Sequence, residues 1–294
     1  MWTTYAFVSG IVAVPYNDIV ARSVASERRS RLLAIRFFGG GLLALGVAAA
    51  ADRFLNSLAF PNGYAAIVLL GAGLLLVSSL SFVSAGEPVA PQPRASDDGF
   101  IDFLQSGIEV FQTDSRFRLF VHAQCLGGVV MMALPFYVLQ VIATEGTASQ
   151  VAFLLAAQTA GALLSNALWG WWGDRYGKRS LYEGVALLRA VPPLLIIVWI
   201  SMVGIWPIPT ISGFATVFFL LGAVGNGIII AVIGYLMEIS PDDQRPAYSG
   251  YFNSLVAPAA LLPLTGVFAV SLVAAFLQFL IIRRLRDLPA ESVK

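Results

Sequence analysis

Charge is the scarcest commodity in this chain. Asp, Glu, Lys and Arg make up only 12% of its 294 residues, while 58% are hydrophobic and the mean hydropathy is +0.79. A soluble globular chain carries about 25% charged residues, so this one has too little polar surface to coat a water-exposed ball. It reads as an integral membrane protein. A single cysteine, Cys125, excludes an internal disulfide and a cysteine zinc cluster. A single histidine, His122, excludes H-E-x-x-H chemistry and a histidine metal cage. Neither a G-x-S-x-G elbow nor a G-x-x-x-x-G-K-[ST] phosphate loop is present. No catalytic residue, metal or cofactor is therefore expected, and the chain reads as a non-enzyme. The 18 basic and 17 acidic residues nearly cancel, so no global field would recruit nucleic acid. No Lys or Arg precedes Arg22, so the apolar start lacks the basic head of a secretory signal and reads as a membrane span.

A helix needs about 20 apolar residues to cross about 30 Å of hydrocarbon. Seven stretches qualify as candidates: 2–16, 32–51, 63–84, 119–142, 150–172, 181–205 and 211–237. The first is short, about 22 Å at the helical rise. Trp206-Pro207-Ile208-Pro209 is the natural break between the last two. A final uncharged stretch, 246–282, is too long for one span, and Pro263 with Gly266 invites a hairpin there. Charge settles the count. With the hairpin there are nine spans, and sixteen of the 18 basic residues fall on one side, including Arg28, Arg29, Arg31, Arg175, Lys178, Arg179, Arg283 and Arg284. Only Arg53 falls on the other, and Arg189 lies within a span. By the positive-inside rule the basic side, with the C-terminus, is cytoplasmic.

The stretch 86–113 is the long polar connection. Glu87-Pro88 and Pro91-Gln92-Pro93 are linker chemistry, and Phe100, Leu104, Ile108 and Phe111 then share one helical face suited to a membrane surface. The chain accordingly divides into three spans at 1–85, a cytoplasmic linker with an amphipathic helix at 86–117, and six spans at 118–294.

Between the fifth and sixth spans stands Gly170-Trp171-Trp172-Gly173-Asp174-Arg175-Tyr176-Gly177-Lys178-Arg179. Its glycines permit a tight turn between packed helices, and its basic residues anchor a cytoplasmic loop. The spacing G-x-x-x-D-R-x-G-[KR]-R resembles the signature loop of the major facilitator superfamily, the likeness resting on Gly170, Asp174, Arg175, Gly177, Lys178 and Arg179. Pro15-Tyr16-Asn17-Asp18 followed by Glu27-Arg28-Arg29 looks like the family's junction between its fourth and fifth helices. Ser240-Pro241-Asp242-Asp243-Gln244-Arg245 looks like the junction between its tenth and eleventh. An offset of 216 places Glu27 on Asp243 and Arg29 on Arg245, as an internally repeated transporter would.

The resemblance implies an all-α membrane protein of about nine transmembrane helices, a partial N-terminal half joined to a complete six-helix C-terminal half. On that resemblance, the three spans before the linker correspond to helices four to six of the usual twelve, and helices one to three are expected to be missing. It implies a permease of the cytoplasmic (inner) membrane that moves a small solute by alternating access. The alternative is a truncated relative that inserts without transporting by itself. The expected partners are a small-molecule substrate, membrane lipid, and a missing N-terminal segment or second chain; nucleic acid is not among them.

In this family the solute cavity lies between the halves, against the first and fourth helices of each. The resemblance therefore nominates Tyr5, Ser9, Tyr16 and Asn17 on the first span, His122, Gln124, Tyr137 and Gln140 on the fourth, and Asn226 and Tyr235 on the seventh. Asn and Gln also serve as glue between helices, so both readings stand. His122, close to Arg118, reads as interfacial. Ala157, Gly161 and Ser165 form a small-residue stripe expected to pack against the opposite half. Arg189 needs a buried partner, and Glu183, six positions away on the same helix, is poorly placed. Asp18, Glu183 and Glu238 all sit near span ends, which leaves no mid-membrane carboxylate to reveal a coupling proton. The resemblance also places Asp174 at the start of the second span, within 26–31.

Overall fold

The computed structural model describes residues 2–84, 86, 100–131, 133–143, 148–201, 210–242, 244–256 and 267–284. The regular structure among them is helical throughout. Three helices come first: α1 (Trp2–Ser23), α2 (Ser26–Ser57) and α3 (Asn62–Ser84). The short α4 (Phe100–Thr113) follows, then α5 (Ser115–Met131), α6 (Leu134–Ala143) and α7 (Ala148–Arg175). The series closes with α8 (Lys178–Leu188), α9 (Val191–Ser201), α10 (Thr210–Ile239), α11 (Arg245–Val256) and α12 (Val267–Arg284). Among the described residues, six stretches are long and apolar enough to cross a membrane: α2, α3, the α5–α6 run, α7, the α8–α9 run and α10. This is a multi-pass membrane protein. The most apolar 18-residue window of α3 has 0% of its residues buried; that helix meets α2 along a seam and α1 through the Tyr16 and Phe82 rings, 5.4 Å apart.

Two of the expected spans are broken rather than continuous. α5 ends at Met131 and α6 begins at Leu134; α8 ends at Leu188 and α9 begins at Val191. Proline explains both. Its ring clashes with the carbonyl four residues earlier and it has no N–H to donate. Pro135 faces back on Met131 and Pro192 on Leu188, the residues at which the two helices stop. Each proline then occupies the first turn of the next helix, where an N–H would be unpaired anyway. At both breaks the backbone tightens into a three-residue step, Ala133 N–H to Val130 O at 3.2 Å and Ala190 N–H to Leu187 O at 3.1 Å.

α1 is longer than its apolar stretch. It runs on through Asp18 and Arg22, whose ion pair of 2.7 Å spans one helical turn. Its 22 residues measure about 33 Å at the helical rise. α11 and α12 are separate helices, and the expected turn at 263–266 lies outside the described residues. So do the proline-rich part of the linker and Asp243. α4 lies against α5 and α11, with Gly107 beneath the Tyr251 ring and the Phe111 ring 5.4 Å from His122. Its Ile101 and Ile108 stay exposed, as a surface helix dipping one face into lipid requires.

The core gathers where α5, α8, α10 and α11 converge. Phe120 stacks on Phe252 at 4.7 Å and meets Tyr182 and Tyr235 edge-on at 5.6 and 5.3 Å. α7 lies between α10 and α2 and packs along both.

Candidate functional site

The seam between α7 and α10 is built from small residues. A Cβ on Gly161 would strike the Phe219 carbonyl, and one on Gly222 would strike the Gln158 carbonyl, so each helix backbone rests directly on the other. Ser165 Oγ donates to Ala223 O at 3.4 Å and Trp169 Nε1 to the same oxygen at 2.8 Å. The small-residue stripe therefore packs on α10, a neighbour within the six-span segment, and not against the opposite half. The physical reason is reciprocity: Gly161 admits the α10 backbone at Phe219 and Gly222 admits the α7 backbone at Gln158.

α7 meets α2 on another face. A Cβ on Gly170 would come 2.9 Å from Ala34 Cβ and 3.3 Å from Arg31 Cα, and one on Gly173 would collide with Ser30. That closeness delivers the Asp174 carboxylate to the α2 backbone. The Ser30 N–H donates to Oδ1 and the Arg31 N–H to Oδ2, both at 3.1 Å. Ser30 and Arg31 are the fifth and sixth residues of α2. The carboxylate thus lies beside the second turn rather than at the helix tip, just past the stretch where the partial positive charge is strongest. Lys178, itself buried, donates to Asp174 Oδ1 at 3.4 Å and to the Gly173 carbonyl at 3.2 Å. The loop reverses at Gly177, whose φ of 88° lies in the left-handed region open to glycine. Arg175 sits over the rings of Trp171 and Tyr176, 5.9 and 5.8 Å from their centres. Arg179 pairs with Glu183, its Nε 3.0 Å and Nη2 2.9 Å from Oε1. Glu183 is accordingly unavailable to Arg189.

Arg189 instead uses neutral acceptors. Its guanidinium donates to the Gln278 side-chain carbonyl at 3.2 Å and to the Gly127 carbonyl at 2.6 Å. Gln278 passes a hydrogen bond on to Gln124 at 3.3 Å, and Gln124 also accepts from Tyr182 OH at 3.0 Å. The network joins α5, α8 and α12 and sits at the break between α8 and α9.

A second charged cluster binds α1 to α11. Arg22 and Arg245 both address the buried Asp18, at 2.7 and 3.8 Å, and Arg245 also pairs with Asp242. Arg29 donates to the Val24 and Ala21 carbonyls at 2.9 and 2.5 Å, closing the end of α1.

The nominated cavity residues are dispersed. Gln124 and Tyr235 converge on Tyr182, the first by hydrogen bond and the second by ring stacking at 6.0 Å. Asn226 donates to Ala162 O at 3.1 Å and to Asn166 Oδ1 at 3.4 Å, bridging α10 to α7. Tyr137 is buried in a separate cluster with Leu154, Phe214 and Phe218. His122 is exposed beside α4, and Asn17 is half-buried next to the Asp18 cluster. The side chains of Tyr5 and Ser9 lie outside the described set. A cavity of about 840 Å³ opens elsewhere, between α2 and α7 on the flank of the Asp174 contact.

This helical framework agrees with the family comparison: residues 124–282 match the model of the Major Facilitator Superfamily. The chain belongs to this superfamily. Members of the superfamily are typically transporters rather than enzymes. The chain is also similar to an uncharacterized protein of Mycobacterium bovis and to uncharacterized proteins of two Mycobacterium tuberculosis strains. Each is 24% identical over 254 residues, a stretch covering 86% of this chain and 48% of the relative. The chain thus spans about half the length of the relatives it matches.

Three participants escaped the sequence reading: Asn166, Tyr182 and Gln278. Asn166 lies four residues past Ala162, the residue whose carbonyl it binds at 2.8 Å, and that spacing on a small-residue helix was an available signal. Gln278 stands in an apolar stretch between Ser271 and Arg283, and its spacing to them offered none.

Proposed function

We propose that the chain is a secondary transporter which moves a small solute across the cytoplasmic membrane by alternating access. In this reading it has about nine transmembrane helices. α1–α3 form a partial N-terminal half, and the segment from α5 onward forms a complete six-helix C-terminal half. The loop after α7 faces the cytoplasm along with the C-terminus. The observation that carries the reading is the Asp174 contact with the Ser30 and Arg31 N–H groups, which adds a polar, breakable link where α2 of one half packs on α7 of the other. A polar contact of this kind at one end of a helix pair can break and re-form as two bundles rock. The Asp18–Arg245 pair supplies a second polar junction between the halves.

The test is a cross-link across the junction. In a Cys125→Ser background, Glu27→Cys and Arg175→Cys are joined by a short bifunctional thiol reagent in proteoliposomes. Efflux of a solute library loaded with cell extract should occur before cross-linking, stop on it and resume on cleavage. Efflux indifferent to the cross-link would remove the rocking mechanism.

The alternative is insertion without autonomous transport. Proteoliposomes holding this chain alone separate the two readings, since the alternative predicts no solute movement at all.

A further inference from the structure

The cavity beside the Asp174 contact is a trough with two unlike ends. At its mouth stand Arg28, Arg31 and Arg175, with Glu27 among them. Asp174 lines the same mouth, but its oxygens are already committed to the Ser30 and Arg31 N–H groups and to Lys178. Among the described residues the side chains of Arg28 and Arg31 have no carboxylate partner. Arg175 is held between two aromatic rings and not by an acid. Three guanidinium groups therefore face a single free carboxylate.

Away from the mouth the chemistry reverses. Ile35 and Phe38 continue the same face of α2, and Leu163 and Leu164 the same face of α7. Leu164 is 66% exposed and Ile35 60%, so the trough opens sideways instead of closing into a core. From Arg31 to Phe38 the trough extends about 10 Å along the α2 axis, the depth of several methylenes below an interface. Trp171 at its edge, 51% exposed, is a side chain suited to headgroup level.

We propose that this trough is a binding site for an acidic phospholipid of the adjoining leaflet. The headgroup phosphate is held by Arg28, Arg31 and Arg175, and one acyl chain lies along Ile35, Phe38 and Leu164. Guanidinium groups suit phosphate because their planar fork can donate two parallel hydrogen bonds to it. The apolar, laterally open wall suits a chain that arrives from the bilayer, whereas a water-soluble solute would find no polar partner along it except the buried Asn166, whose amide is already donating to Ala162 O. The site rests on the chain being embedded in a membrane and does not depend on transport.

Native mass spectrometry of the full chain in mild detergent tests it. The protein is incubated with phosphatidylglycerol and phosphatidylcholine of identical acyl chains, and retained adducts are counted. Phosphatidylglycerol should be retained preferentially. Arg28→Gln, Arg31→Gln and Arg175→Gln should each lower that preference about fivefold at low ionic strength. Leu164→Trp, which fills the trough and leaves the charge intact, should lower retention of both lipids. Equal retention of the two lipids by the unmodified chain would overturn the proposal without recourse to any variant. So would displacement of phosphatidylglycerol by equimolar glycerol phosphate, which would make this a phosphate site for soluble ligands. A dimer peak that disappears in Leu164→Trp, with no lipid adducts, would assign the trough to a second copy of the chain. Failure to bind acidic lipid would leave the cross-linking result for transport untouched.

Discussion

Asp174 and Ser30 lie 144 residues apart in sequence and meet at 3.1 Å, a side-chain oxygen on a backbone N–H. The donor belongs to the main chain, so no substitution at position 30 other than proline removes it. Selectivity at this junction is therefore carried by position 174 and by Gly170 and Gly173, which let the helices come close enough.

Asp174→Asn should weaken the junction. The amide keeps one acceptor but turns an NH₂ group toward the second backbone donor, and it loses the charge that favoured the helix start. The expected cost is about 1–3 kcal/mol. It should appear as a lower Tm in detergent and as faster thiol labelling of Glu27→Cys. Unchanged labelling would confine Asp174 to shaping its own loop.

Glycine substitutions should separate sharply by site. Gly161→Ala would place a methyl on the Phe219 carbonyl, a backbone atom that cannot step aside, whereas a Cβ at Gly225 meets nothing within 4 Å. Gly161→Ala should cost about 1–3 kcal/mol or prevent monodisperse purification. Gly225→Ala should behave as wild type in the same chromatographic and thermal assays.

The Arg189 network should show strong coupling. Gln278→Leu strands part of a buried guanidinium and should destabilise by about 3–5 kcal/mol. Arg189→Met combined with Gln278→Leu removes the charge along with its acceptor and should cost less than the sum of the two single changes. Additive effects in a thermal double-mutant cycle would mean that Gly127 O alone satisfies the cation.

Asn226→Ala should lower stability modestly, by about 0.6–2 kcal/mol, the usual worth of a hydrogen bond between membrane helices. Asn166→Ala should do the same, and the double variant should lose little more than either. Independent, additive losses would show that the two amides act separately.

The sequence pattern made the helical class, the multi-pass membrane character and the family legible, because each rests on composition or on a contiguous motif. The glycines of the loop signalled a tight turn, and the family likeness pointed Asp174 toward 26–31. It misjudged what depends on which helix lies opposite. Gly161 was assigned to the wrong neighbour because a stripe of small residues says that something is close, not what. Glu183 was considered for Arg189, yet Arg179 one turn away was the better-placed cation. The two span breaks were readable in principle, since Pro135 and Pro192-Pro193 sit inside apolar runs. Hydropathy averages over such prolines and so hides them. The nominated cavity side chains came from a family likeness in helix order, which cannot say which face of a helix each residue occupies.

Arg189 is held by an amide and a backbone carbonyl, and among the described residues no acid answers it. Neither acceptor can take up a proton under physiological conditions. A cation balanced by a carboxylate would lose its counter-charge when the surroundings turn acidic, and the helices it ties would loosen. Here acidification has nothing to switch off, so the clasp joining α5, α8 and α12 holds equally on either side of a membrane that maintains a proton gradient.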